Sequence, residues 1–97
     1  MSIAPTTQLK WEDKASGKFN QMITRIPMFH REIAKVVVVK KAEQNAVQRG
    51  SSFVEEPDIV KAFFSEVPKA FYSLMTRLLD EAGFDYKAES SRGHEKE

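Results

Sequence analysis

Cysteine is absent from this chain of 97 residues, and its absence removes disulfides, thiolate zinc sites, iron–sulfur ligation and thiol nucleophiles together. Histidine is nearly absent: His30 and His94 stand far apart, and the carboxylates around them show no ligand spacing. No metal, no cofactor and no catalytic residue is therefore expected. Long apolar runs are missing as well. The longest, the four valines at 36–39, falls far short of the ~20 residues that span a bilayer. Residues 1–5 carry neither the charged leader nor the apolar stretch of a secretory signal. These features describe a cytoplasmic protein without membrane contact.

A strong charge of one sign is also lacking, since the formal net charge is +1. The total conceals a division: residues 1–49 sum to +5 and residues 50–97 to −4. Two ordinary solvated helix faces give such a division, and so does a basic face for an acidic partner, or head-to-tail self-association. What is present, 41% hydrophobic and 30% charged residues, suffices for one small domain. A chain this short buries about two thirds of its unfolded surface. Nearly every large apolar side chain must then serve one core or one interface, and no separate catalytic domain fits.

Apolar residues at 11, 15, 19, 22, 23 and 26 recur with the three-and-four spacing of one helix face, which predicts a first helix over 12–24. Gly17 inside it costs about 1 kcal/mol relative to alanine, so this helix leans on tertiary packing. Proline is tolerated in a first turn but not in a helix interior, so Pro27 opens a second helix, running over 27–49 and stopping at Gly50. At 1.5 Å per residue it is roughly 30 Å long, the axis of the fold. The four valines favour a strand by local propensity, but Phe29, Ile33, Ala34, Ala42, Ala46 and Val47 extend the segment at helical spacing. Four successive positions at 100° steps span most of the circumference. The middle of this helix therefore needs cover on nearly every side, from other helices or a second chain.

Phe53 and Val54 read as a brief extended bridge, and Pro57 with Glu55, Glu56 and Asp58 marks the acidic first turn of a third helix. Ser65 and Pro68 read as the cap and first turn of a fourth helix, with one rod kinked at Pro68 as the competing reading. Val67, Phe71, Leu74, Met75, Leu78, Leu79 and Ala82 form its stripe, which suits either the core or a dimer interface, and Gly83 stops it. The expected fold is all-α, a small bundle of about four helices around the long one. Residues 1–10 read as a flexible arm, 11–86 as a single helical domain and 87–97 as a disordered charged tail.

Candidate chemistry is sparse. His30 has no nucleophile or orienting acid at a productive spacing and reads as an ordinary, partly exposed histidine. Seven phenylalanines fill a core more readily than they line a ligand pocket. Arg25, Arg31, Lys35, Lys40, Lys41 and Arg49 are a candidate basic surface for phosphates, without the aromatic interleaving or glycine-rich loops that strengthen a nucleic-acid signal.

The order of Trp11, Ile26-Pro27-Met28-Phe29-His30-Arg31, Ala34, Ala42-Glu43, Arg49-Gly50, Val54 and Ala62 resembles the PCP reductase domain family, over residues 11–63. That family includes the small C-terminal domain of the B subunit of light-independent protochlorophyllide reductase. The resemblance implies an accessory role linked to oxidoreductase or tetrapyrrole metabolism. It also marks Trp11, Ile26, Pro27, Phe29, Arg31, Gly50, Val54 and Ala62 as structural, with Trp11 as anchor, Pro27 as helix start, Phe29 as core, Arg31 as surface pairing and Gly50 as helix stop. On it, the region after Phe63 is a separate addition. The succession of a short helix, a long helix, an Arg-Gly stop, a bridge and a third helix is also similar to a histone fold, which implies a homodimer binding DNA without sequence preference. The expectation that follows is a non-catalytic helical interaction module with a protein partner or a second copy of itself, and DNA as the alternative partner.

Overall fold

The structure, a computed structural model, describes residues 9–87. Most of the arm expected at 1–10 and nearly all of the tail expected at 87–97 lie outside the described residues. In chain order the elements are β1 (Lys10–Trp11), α1 (Asp13–Ile23), α2 (Met28–Gln48), β2 (Phe53–Val54), α3 (Glu56–Glu66), a 3₁₀ turn (Lys69–Phe71) and α4 (Tyr72–Ala82). The all-α reading holds, with four helices and one two-residue parallel ladder that joins Lys10 to Phe53 and Trp11 to Val54. Lys10 therefore belongs to the folded domain and not to a loose arm. The Glu12 N–H extends the ladder by donating to the Val54 carbonyl at 2.9 Å, and Leu9 packs against the core.

Both glycine stops lie where the pattern put them. Gly50 follows α2 with φ +78° and Gly83 follows α4 with φ +91°, a left-handed backbone that side chains resist. Beyond Gly50, the Ser51 N–H reaches back to the Ala46 carbonyl at 2.9 Å and closes the helix end. Nothing approaches within 4 Å of a side chain placed at position 50. Gly50→Ala should therefore cost about 1 kcal/mol through backbone conformation alone, read as a small fall in the thermal midpoint with an unchanged far-ultraviolet spectrum.

At Pro68 the kinked rod is excluded. Val67 is extended (φ −89°, ψ 133°), as expected of a residue whose backbone clashes with a following proline ring, and the chain restarts through the 3₁₀ turn into α4. Ser65 does not cap the fourth helix. It lies in the last turn of α3, where its hydroxyl donates back to the Ala62 carbonyl at 3.2 Å.

The core forms where α1, α3, α4 and the second half of α2 converge. Phe19 and Met22 from α1, Ile59, Val60 and Phe63 from α3, and Met75, Leu78 and Leu79 from α4 are buried there with Val54 and Phe84. The α4 stripe is thus largely spent inside the chain, which removes it as a dimer interface; only Phe71 and Leu74 look outward. Fully buried alanines at 42, 46 and 62 let α2 and α3 pack closely.

Candidate functional site: the outward face of the long helix

α2 is two helices in one as far as solvent is concerned. From Val38 onward it supplies Val38, Ala42, Glu43, Asn45 and Ala46 to the interior, all on one side. Its first ten residues, 28–37, include no buried residue at all. Yet those ten hold Met28 (76% exposed), Phe29 (78%), Ile33 (68%), Val36 (64%) and the more sheltered Val37. The expected cover around the valines is therefore half present. Val38 is buried and Val39 partly so, while Val36 and Val37 face water.

At 100° per residue, Phe29, Ile33, Val36 and Lys40 fall within a 60° sector, spaced four, three and four apart. Lys40 interrupts the line with a charge but adds an apolar stem. Val47, also exposed, lies five whole turns beyond Phe29 on the same azimuth. Between them Trp11 is laid against α2, its indole N–H donating to Glu43 Oε2 at 3.1 Å and its ring 5.3 Å from that of Phe19. Trp11 thus ends the open part of the face.

Trp11 anchors, Ile26 packs on the core, Pro27 precedes the first residue of α2, Gly50 terminates it, and Val54 and Ala62 are fully buried. Phe29 is a correction. It is no core residue but the most exposed of the large apolar side chains described, its ring tilted against that of the neighbouring His30 at 4.2 Å between centroids. The reason is geometric: two residues past the proline, the helix has not yet reached the body of the domain. Arg31 is a second correction. It pairs with no carboxylate but brackets the end of α1, donating to the carbonyls of Thr24 (2.9 Å) and Ile26 (3.0 and 3.2 Å), which helix formation leaves without partners. Arg31→Ala should cost about 1–2 kcal/mol in chemical denaturation, and Arg31→Lys should not restore it, because an ammonium cannot span the two carbonyls as a guanidinium fork does.

The residues of the candidate basic surface are not gathered into one patch of free charges. Arg25 is paired with Glu81 at 2.9 Å, Arg31 with backbone, and Arg49 with Glu55 and Asp58. Lys35, Lys40 and Lys41 remain, and their positions divide the circumference of α2 into roughly 120° sectors instead of sharing a side. The acids around 55–58 are structural. Asp58, almost wholly buried, accepts from Arg49 Nε at 2.8 Å, Arg49 Nη2 at 2.7 Å and the Glu55 N–H at 2.9 Å, while Glu56 binds Lys18 at 2.9 Å. Among the described residues no three His, Asp or Glu side chains are grouped to hold a metal ion. A shallow depression of about 350 Å³ at the end of α4, lined by Asp80 and residues 83–87, holds no nucleophile beside a base.

With this geometry in view, the comparisons with known proteins decide the family. Residues 3–91 match the family described as "Protein of unknown function (DUF2621)". The chain belongs to the DUF2621 family. No curated protein and no solved structure matches this DUF2621 chain. Membership corrects both resemblances drawn from motif order. The match runs through α3 and α4 together, so the fourth helix is an integral part of the DUF2621 domain and not an addition to a PCP reductase module ending at residue 63. The structure shows why the motif misled. Ile26-Pro27-x-Phe29-x-Arg31 here is a corner between two helices: a proline start, an arginine bracket and a phenylalanine that faces water. Helix punctuation of this kind recurs in unrelated folds. The link to oxidoreductase or tetrapyrrole chemistry, and the histone likeness, fall with it.

Proposed function

We propose that this DUF2621 protein is a non-catalytic helical docking module that binds a protein partner through the outward face of α2. The observation that carries the reading is the unburied first half of that helix, ten residues long, with five large apolar side chains open to water. A helix apolar on most of its circumference is ordinarily enclosed, and contiguous apolar patches on soluble monomers are small unless they serve an interface. The rest of the molecule supports a binding role over a catalytic one. Of its two buried carboxylates, Asp58 is engaged by Arg49 and a backbone N–H and Glu43 accepts from the Trp11 indole, while its only described histidine, His30, lies beside the Phe29 ring.

The test is a photo-crosslinking residue placed at Ile33 and, as a control, at the exposed Lys61 of α3, in living cells that produce the protein. Position 33 should yield discrete adducts that position 61 does not. Equal labelling from both positions, or none from either, overturns the reading.

A further inference from the structure

We infer that the partner of this face is a second copy of the same chain, with the exposed halves of two α2 helices crossing antiparallel about a two-fold axis between residues 34 and 35. The inference rests on the docking reading above and names its occupant.

Three observations select the occupant. The first is how few apolar side chains the two flanking segments carry. Residues 1–8 and 88–97, outside the described part, contain only Met1, Ile3, Ala4 and Ala88 as apolar residues. They cannot enclose Met28, Phe29, Ile33, Val36 and Val37.

The second is the spacing. Positions 29, 33, 36 and 40 follow the four-three-four interval of a coiled-coil seam, and the positions opposite, 31, 38 and 45, turn toward the protein's own body. A seam of this period receives another helix. An antiparallel two-fold axis between 34 and 35 sets Ile33 against the partner's Val36 twice at the centre, and the stem of Lys40 across the partner's Phe29 at each end. The ammonium then lies near an aromatic face, where a cation is favoured. Glu32 comes within one turn of the partner's Lys40. A parallel pair in register would instead stack Lys40 on Lys40, a like-charge contact at one end of the seam. Trp11, laid over α2 at Glu43, blocks a longer overlap toward Val47.

The third is area. At roughly 100 Å² per side chain of this class, the exposed fractions of Met28, Phe29, Ile33, Val36 and Val37 leave about 300 Å² of apolar surface per protomer. With the polar rim that accompanies such a patch, an isologous contact covers at most on the order of 1,000 Å² in total, the size of a weak or transient interface. A net charge of +1 sets up little repulsion between copies. The dimer is therefore a small one, held by the quality of its central contact more than by its area.

The experiment uses the purified full chain. Sedimentation velocity over a micromolar to millimolar series should show a monomer–dimer equilibrium, and Ile33→Glu should weaken it by about 100-fold, since each dimer loses the central contact twice. Because Ile33 is exposed, the variant should keep its helical spectrum and thermal midpoint, which separates lost association from lost folding. The chain has no thiol of its own, so Ile33→Cys and Val36→Cys proteins mixed under mild oxidation report the register directly. The 33–36 disulfide should form faster than a Val47→Cys homodimer. Dimerisation untouched by Ile33→Glu, or fastest crosslinking at 47, overturns the proposed geometry. A chain that stays monomeric at millimolar concentration overturns the second copy as occupant. If position 33 still gives adducts of other masses in cells, the docking reading survives that result. If it gives none, both fall.

Discussion

Phe63→Ala should remove about 3–5 kcal/mol of folding free energy, the largest loss expected of any single truncation in this molecule. Phe63 is the largest fully buried side chain described, set on α3 with its ring 6.0 Å from that of Phe19 on α1. Its removal forfeits the transfer of an aromatic ring from water, and it leaves a cavity that α1, α2 and α4 cannot all collapse into, since each is held by contacts elsewhere. A domain of this length has on the order of 5–15 kcal/mol in total. The urea midpoint should accordingly fall by half or more at a nearly constant slope. Phe63→Leu, which keeps most of the volume, should cost less than half as much. A Phe63→Ala protein within 1 kcal/mol of the parent would mean that the described core is not the core in solution.

Arg49→Ala comes second, at about 2–3 kcal/mol. Asp58 is the most deeply buried aspartate or glutamate described, its side chain 3% exposed, and two of its three hydrogen bonds come from Arg49. Removing one partner of a buried pair costs about 3–5 kcal/mol because the other charge stays behind unsatisfied. Arg49 is itself 42% exposed, so solvent screens the pair and water enters where the guanidinium was. The expected cost is reduced on that account. Arg49→Lys should recover about half, keeping a charge but not the two-pronged geometry. A double-mutant cycle with Asp58→Asn isolates the coupling. The hydrogen bond to Asp58, and after it the charges of Asp58 and Glu55, hold the Arg49 pKa above the ordinary arginine range, with burial opposing. For a cation whose folded pKa is raised, the stabilisation is complete below the unfolded value and is lost only as pH rises through the folded one. The contribution from Arg49 titration should therefore stay flat from neutral pH through mild alkali, and thermal melts across that range check it.

The sequence was legible wherever a local rule had one outcome. Pro27 and Pro57 could only start helices, and Gly50 and Gly83 could only stop them; α1 and α2 begin and end within one residue of the pattern, and α3 begins beside Pro57. Reading failed where a side chain's partner lies across the fold. Nothing in the neighbourhood of Arg49 in the chain says that Asp58 will be buried beneath it, nine residues on, or that Arg25 will meet Glu81 from another helix. Counting charges by sequence half therefore suggested a basic surface that these pairings dismantle. Phe29 failed differently. Its spacing is that of a core position, and amphipathic pattern alone cannot tell a face buried in its own domain from one reserved for another molecule. The demand that the four valines be covered on nearly every side was the usable signal. Two of them are covered by the chain, and the other two mark the face that is not.

The bracket that Arg31 makes at the corner between α1 and α2 governs how much that face can move. With three bonds from its guanidinium to the carbonyls of Thr24 and Ile26, and with Pro27 fixing the backbone between them, the projecting half of α2 is a cantilever clamped at its root. At its other end it continues without a break into the buried half of the same helix. A loop bearing the same five apolar side chains would have to become ordered upon contact, losing conformational entropy for every residue fixed. Here folding has already fixed those residues, so contact loses mainly side-chain and rigid-body freedom, and even a modest patch can hold a partner in one orientation.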